Sequence, residues 1–392
     1  MNILARKQKI LMRKIVNKRN VVPLLCGLIL TGCSAQADAS TASTAASAAE
    51  TVITETESAA LTQTEETSTE TDVSAAAIPA DEAFDKSLFA MDTTMTLIAY
   101  GPHANAALDA AADEINRLDA LFSISSDTGD IFRANRDGSS TLSADTKELL
   151  SRSLDFAAET GGLLEPTIEP VMNAWGFTTK NYRVPSQDEL KELLSHVDYR
   201  QVEITGDTLT LPENVQIDLG AIAKGYTSAR VMDVFRDAGL TSGIISLGGN
   251  VQALGHKPDG SLWRVGIQDP KDSQNVIAIV EIADEAVITS GTYQRYFEQD
   301  GVTYHHIIDP RTGYPADSGL TSVSIISKDG TLADAMSTSL FIMGAEKAGE
   351  FWKEHRDEFD AIMMDEDGTV YVTAGLADRC TIKTGGPVEV IS

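Results

Sequence analysis

The stretch Val215-Gln216-Ile217-Asp218-Leu219-Gly220-Ala221-Ile222-Ala223-Lys224-Gly225 sets the architecture of the chain together with its downstream neighbours: Val231, Val234, Phe235 and Ala238 at helical spacing, then Gly239, then Ile244-Ile245-Ser246-Leu247. An apolar run broken by glycine, a stripe at steps of three or four, and a second apolar run read as strand, helix, strand. Outward from this unit the chain departs from regular alternation. Strand composition recurs at 263–267, 276–282, 286–289 and 320–326, before helices at 331–343 and 345–355 and two closing strands. Upstream, 91–100 has strand composition, and 105–122 carries Leu108, Ala111, Ile115, Leu118 and Phe122 on one helical face. A further helix is expected over 144–160, with Ser143 as N-cap and Gly161-Gly162 as its stop. Strands outnumber helices and mostly do not alternate with them. This predicts an α+β fold of mixed or antiparallel sheets with packed helices, not a doubly wound parallel sheet.

The chain has 392 residues, 42% of them hydrophobic and 23% charged, and a formal net charge of −27. That balance argues against nucleic acid as a partner, because binding it depends on a basic surface. Residues 1–32 run from basic through apolar to small, with an apolar run from Val21 to Leu30 that is too short to span a bilayer. Leu30-Thr31-Gly32-Cys33 resembles a bacterial lipobox, which makes Cys33 the lipidated first residue of the mature protein and places it on the extracytoplasmic face of the cell membrane. Residues 33–83 are rich in Ala, Ser, Thr and Glu and contain no Lys or Arg, so they read as a disordered tether. The expected domain is 84–392. Cys26 and Cys33 lie near the N-terminus, leaving Cys380 without a partner in the domain and expected as a small core residue.

Three places carry candidate chemistry. Residues 217–225 put an acid at a strand end and a glycine at the turn into a helix, whose unpaired N–H groups suit a phosphate or ribose. The glycine spacing of a phosphate-binding loop is missing, and an Asp there also serves as a turn-former. Asp334 and Thr338, four apart in a predicted helix, share one face beside Met336, Leu340 and Met343. An acid and a hydroxyl so placed suit a hard cation such as Mg²⁺, or simple capping of the helix surface. The run from His305 to Gly313 ends a strand in a tight turn. It supplies His306 as a base with Asp309 as its orienting partner, or else a hairpin end with a satisfied histidine. Glu165-Pro166-Thr167 with Trp175-Gly176-Phe177 reads as a folded loop with a bulky anchor.

Taken in order, these segments match one pattern. Met91-Asp92-Thr93, Glu165-Pro166-Thr167 with Trp175-Gly176-Phe177, residues 218–225, Leu247-Gly248-Gly249-Asn250, Ser290-Gly291, His306 to Gly313, and Ala333-Asp334-Ala335 with Thr338 resemble the ApbE family of FAD:protein FMN transferases across residues 85–391. The resemblance implies an FAD-binding cleft in an α+β fold. It also implies a Mg²⁺-dependent, exported enzyme that attaches FMN through a phosphoester to a Thr or Ser of an acceptor protein and releases AMP. By the same resemblance Met91, Ser125, Leu163, Leu164, Glu165, Asp218, Lys224 and Ile308 contact FAD. The Ala221 carbonyl, Asp334 and Thr338 hold Mg²⁺. His306 and Asp309 are the candidate base and its positioner. Asp92 stands where the family has glycine after the methionine, Glu165 where it has aspartate, and Ser125 where it often has an aromatic ring. Acceptors in the family are subunits of membrane electron-transport complexes of the Rnf and Na⁺-translocating reductase types, or extracellular flavoproteins. Two other readings share these features: an FAD pyrophosphatase releasing FMN and AMP, and a non-enzymatic flavin-binding lipoprotein.

Overall fold

A computed structural model describes residues 79–392; the leader, Cys33 and nearly all of the tether lie outside the described residues. No helix among the described residues is long and apolar enough to cross a membrane. The centre is a nine-stranded sheet: β1 Ala83–Ala90, β2 Thr93–Tyr100, β3 Ser242–Leu247, β4 Asn250–Gly255, β5 Ala286–Gly291, β6 Leu320–Ser327, β7 Asp360–Asp365, β8 Val370–Thr373 and β9 Val388–Ile391. These strands lie in the sheet in the order in which they occur in the chain. Every neighbouring pair is antiparallel except β8 and β9, which are parallel. The helices are α1 Ala104–Phe122, α2 Asp130–Asp137, α3 Ala144–Glu159, α4 Glu169–Trp175, α5 Gln187–Leu194, α6 Ala223–Asp237, α7 Gly330–Met343 and α8 Ala345–His355.

Period-two alternation divides the central strands between two cores. Ile288, Val323, Ile325, Ala361 and Met363 face a core closed by α7 and α8. Their neighbours Val287, Ile326, Ile362 and Met364 face a second core, closed by an antiparallel three-stranded sheet of Trp263–Asp269, Asp272–Ile282 and Cys380–Ile382. Both faces are covered, so β5 to β7 are buried along nearly their whole length, polar positions of β6 included. A third cluster packs the α1 stripe and α6 against β2 and β3. Cys380 sits in the second core, where burial pushes its thiol up to about 12.

The predicted helices over 105–122, 144–160, 331–343 and 345–355 appear within a residue of their expected ends. Ser143 caps α3, its Oγ accepting from the Thr146 N–H at 3.4 Å, an interaction of about 1 kcal/mol. Four expectations need correction. Residues 215–219 are not a strand, because their backbone groups pair with a side chain and a loop. The strand expected at 91–100 begins at Thr93, since Met91 and Asp92 form the two-residue turn of a hairpin whose first strand, β1, went unread. The chain closes with four short strands in place of two. The short helices α2, α4 and α5 carry too few periodic positions to be seen.

Met91 and Asp92 both have positive φ, 47° and 60°, which the mirror-image hairpin turn requires. The adjacent β3–β4 turn meets the same demand with Gly248 and Gly249, and a Cβ on Gly248 would run into the Thr93 side chain.

A second close approach sets the position of α7. Where α6 crosses it, Gly225 meets the Gly330 carbonyl and the Asp334 side chain, and Gly330 in turn meets the Gly225 carbonyl. A side chain on either would force the helices apart. Gly225→Ala is therefore expected to lower unfolding stability by about 1–3 kcal/mol, the usual cost of overpacking. Urea titration checks this, and a wild-type midpoint would show that the crossing yields without strain.

Candidate functional site

The run from Val215 to Gly225 is laid down by partners other than a sheet. Asn135 clamps Ile217, its Nδ2 donating to the Ile217 carbonyl at 2.8 Å and its Oδ1 accepting from the Ile217 N–H at 2.7 Å. The Asp218 N–H donates to the Pro166 carbonyl, and Gln216 makes an isolated parallel bridge with Ile168. Asp218 then folds its carboxylate over the next turn, Oδ1 accepting from the Gly220 N–H at 2.6 Å. The Ile222 and Ala223 amides return to the Leu219 carbonyl, and α6 starts at Ala223 without a capping side chain of its own.

Asp334 supplies that cap from α7. Its Oδ2 accepts from the Gly225 N–H at 2.8 Å, and its Oδ1 accepts from Asn250 Nδ2 at 3.0 Å. In an unbroken helix the Gly225 amide would bond the Ala221 carbonyl four residues back. Here it does not, and among the described residues nothing donates to the Ala221 carbonyl. Asp334 is only 4% exposed. Burial raises its pKa, while Lys224 and the bonds from Gly225 and Asn250 oppose the rise. One turn further along α7, the half-buried Thr338 hydroxyl lies 3.3 Å from Ser290 Oγ, which also bonds Ser337. The crossing sets the Asp334 carboxylate against the start of α6, with the Thr338 hydroxyl one turn further along α7 and the Ala221 carbonyl four residues before Gly225. An all-oxygen donor set with few protein ligands suits Mg²⁺ better than a softer metal.

Beside it lies a charged cluster. Lys224, the second residue of α6, acts electrostatically on Asp218, Asp334 and His306, and Arg295 acts on Asp218 and His306. Burial raises the Asp218 pKa against the Gly220 bond and these two cations. Burial and the same two cations hold His306 well below the ordinary imidazole range, so its ring is neutral at neutral pH. The His306 Nδ1 and backbone N–H both reach the Arg295 carbonyl, at 3.2 and 3.0 Å. Nδ1 therefore carries the hydrogen, and Nε2 is left as the basic nitrogen.

Asp309 does not orient His306. Its carboxylate accepts from the Arg311 guanidinium and the Arg311 N–H, holding the 309–313 turn instead. That turn is anchored from α4, where Trp175 Nε1 donates to the Gly313 carbonyl at 2.7 Å. Arg295 itself donates to the Phe177 carbonyl at 2.7 Å and lies 3.9 Å from Asp92, whose carboxylate also pairs with Lys180 at 2.6 Å. Asp92, at the position expected to be glycine, thus adds a negative charge to the rim.

The remaining expected FAD contacts differ in kind. Met91 is half-buried at the hairpin turn, its sulfur 3.7 Å from the Thr227 hydroxyl. The Glu165 carboxylate is engaged within its own loop, accepting from the Thr167 N–H and hydroxyl and from the Tyr199 N–H. Leu164 and Ile308 are buried in cores, with Leu163 packed at the edge of one. Ser125 is exposed in the loop after α1, where its amide bonds Ser123 Oγ, and no hydrogen bond or ion pair among the described residues joins it to the cluster. Reading the sequence missed the roles of Arg295, Asn250 and Ser290. The last two lie within motifs that carry the family resemblance, whereas Arg295 had no local signal.

Removing the amide of Asn250, itself buried, would leave Asp334 Oδ1 without its side-chain donor. Asn250→Ala is expected to cost about 1–3 kcal/mol, the range for orphaning a buried polar group. Chemical denaturation reads the change, and a loss below a few tenths would mean that Asp334 finds another partner.

The model of the ApbE family matches residues 91–363. Among curated relatives, the FAD:protein FMN transferase of Treponema pallidum is 35% identical over 69% of this chain and 83% of its own length. That of Vibrio cholerae is 32% identical, over 67% and 79%. Among solved structures, the ApbE protein of Thermotoga maritima aligns with TM-score 0.70 at 31% identity, covering 74% of this chain and 96% of its own. The flavin transferase ApbE of Vibrio cholerae aligns with TM-score 0.67 at 27% identity, over 73% and 95%. The α+β architecture and the matched span, which includes the Ala221, Asp334 and Thr338 oxygens, place this chain in the ApbE family.

Proposed function

We propose that this protein is a Mg²⁺-dependent FAD:protein FMN transferase that moves the FMN half of FAD onto a Thr or Ser hydroxyl of an acceptor protein and releases AMP. The observation that carries this reading is the buried Asp334 carboxylate at the α6–α7 crossing, with Lys224 acting on it and Arg295 and Lys224 both acting on neighbouring Asp218; the Ala221, Asp334 and Thr338 oxygens would hold the metal. Such a site fits an anionic diphosphate. Bound there, Mg²⁺ supplies neutralisation of the phosphate oxygens that would otherwise repel an incoming hydroxyl.

The chain's own residues do the rest. Lys224 and Arg295 offset phosphate charge, and Asp218, pinned by the Gly220 amide, presents a hydrogen-bond-accepting carboxylate at the start of α6. His306 Nε2 takes the proton as the acceptor oxygen bonds to the FMN phosphorus; the bond from that phosphorus to the bridging oxygen breaks, and AMP leaves with it. Burial is the larger cause of the low His306 basicity; a diphosphate beside Lys224 and Arg295 would offset the smaller part that those two charges contribute.

The Cys33 lipobox and acidic tether support anchoring on the extracytoplasmic face of the membrane. Acceptors of the Rnf and Na⁺-translocating reductase types, or extracellular flavoproteins, fit that address.

Incubating the protein with FAD, Mg²⁺ and an acceptor should yield covalent flavin fluorescence on a denaturing gel together with AMP. AMP alone would indicate a pyrophosphatase, and neither product a binding protein. Asp334→Asn should lower transfer at least about a hundredfold, since the loss of a metal's charge stabilisation amounts to several kcal/mol. His306→Asn should lower transfer while FAD still binds, and an unchanged rate would remove the histidine from the mechanism.

A further inference from the structure

One buried acid near the site has no part in the transfer chemistry. Glu169, the first residue of α4, is only 6% exposed, and its Oε2 has no hydrogen-bond partner among the described residues. The buried Thr178 hydroxyl is its neighbour and favours the ionised form, though it lies outside ordinary hydrogen-bond geometry. The charge that acts on Glu169 is that of Asp218, which in turn faces Lys224 on α6 and Arg295 on the loop after β5. His306 faces the same two cations, and Asp92 lies near Arg295. The Ile168–Gln216 bridge and the Asp218 N–H bond to the Pro166 carbonyl lay the start of α4 alongside residues 216–218, so Glu169 backs onto the acid of the charged cluster with no hydrogen bond or ion pair to its cations among the described residues.

Two carboxylates in this place cannot both be ionised without repelling each other and an anionic nucleotide. Asp218 has a backbone donor and two nearby cations to favour its charge; Glu169 has neither. Burial and the Asp218 charge push Glu169 up to about 9, so it keeps its proton at neutral pH. Holding that proton works against folding. The unfolded chain releases it above the ordinary carboxylate range, so stability is lost as pH rises from there toward 9. A neutral amide of the same shape would avoid the loss, and an unpartnered acid kept beside a site is the kind of local conflict expected where function requires it.

We infer that Glu169 is a positioning residue that acts as a neutral acid behind Asp218, leaving Asp218 as the single negative charge on that side of the FAD site, so that ionisation of Glu169 weakens FAD binding. The inference rests on the flavin-transferase reading, and its test separates the two.

FAD affinity of the full-length protein and of Glu169→Gln is measured by titration between pH 7.5 and 9.5. The wild type is expected to lose about tenfold more affinity over that range than the variant, the size of one added carboxylate repulsion at short range in a partly screened site. The flavin titrates in both proteins and cancels in the comparison. Thermal unfolding gives a second readout: E169Q should melt above the wild type at pH 8, with the gap closing toward pH 4. A wild type that binds no FAD at any pH overturns both readings. Equal alkaline losses in the two proteins, or a melting gap independent of pH, overturn the assignment of Glu169 alone.

Discussion

The Asp334 carboxylate accepts hydrogen bonds from Gly225 and Asn250 at the point where α6 crosses α7, and this contact orders the site. A buried carboxylate is costly unless its oxygens are satisfied. Here the satisfaction comes from the uncapped start of one helix and from a hairpin turn, so three separate elements are fixed by one carboxyl group. The same bond diverts the Gly225 amide from Ala221 and leaves a carbonyl oxygen open. Two glycines, Gly225 and Gly330, permit the approach, because a Cβ at either would meet backbone.

Around this contact the fold divides its labour. The sheet and the covering three-stranded sheet supply a rigid apolar frame. Most polar residues of α7 that are buried in it are bonded, Ser337 to the Asp334 carbonyl, Ser339 to the Ala335 carbonyl, and Asp334 to Gly225 and Asn250, while the buried Thr331 hydroxyl has no partner among the described residues. Loops then bring charge to the rim. Trp175 fixes the His306 turn from a distance, and Arg295 ties the β5 loop to the Phe177 carbonyl. The positive φ at Asp92 shows the same logic at a smaller scale, since a strained turn places an acid where it meets Lys180 and Arg295.

The electrostatics follow from packing as much as from composition. The chain is strongly acidic, yet Lys224 and Arg295 converge on the site while Asp218, Asp334 and Glu169 lose solvent. Burial pushes the carboxyls toward their neutral forms and the imidazole toward its own; Arg295 and Lys224 oppose this at Asp218, Lys224 alone opposes it at Asp334, and neither acts on Glu169.

The α+β class, most helix boundaries and the residues at the α6–α7 crossing were legible in residue order alone, because those signals are local: a 3.6-residue stripe, a capping serine, a glycine at a turn, a four-residue spacing on one helix. Residue order misassigned 215–219, where apolar composition imitates a strand while the backbone is held by Asn135 from 82 positions away. It paired His306 with Asp309 because they are neighbours in the chain, whereas the structure gives Asp309 to Arg311 and His306 to the Arg295 carbonyl. Which polar groups meet across the sheet, which oxygen is left without a donor and which acids lose solvent were settled by the three-dimensional packing, since hydrogen bonding and desolvation depend on distances in space that the order of residues does not encode.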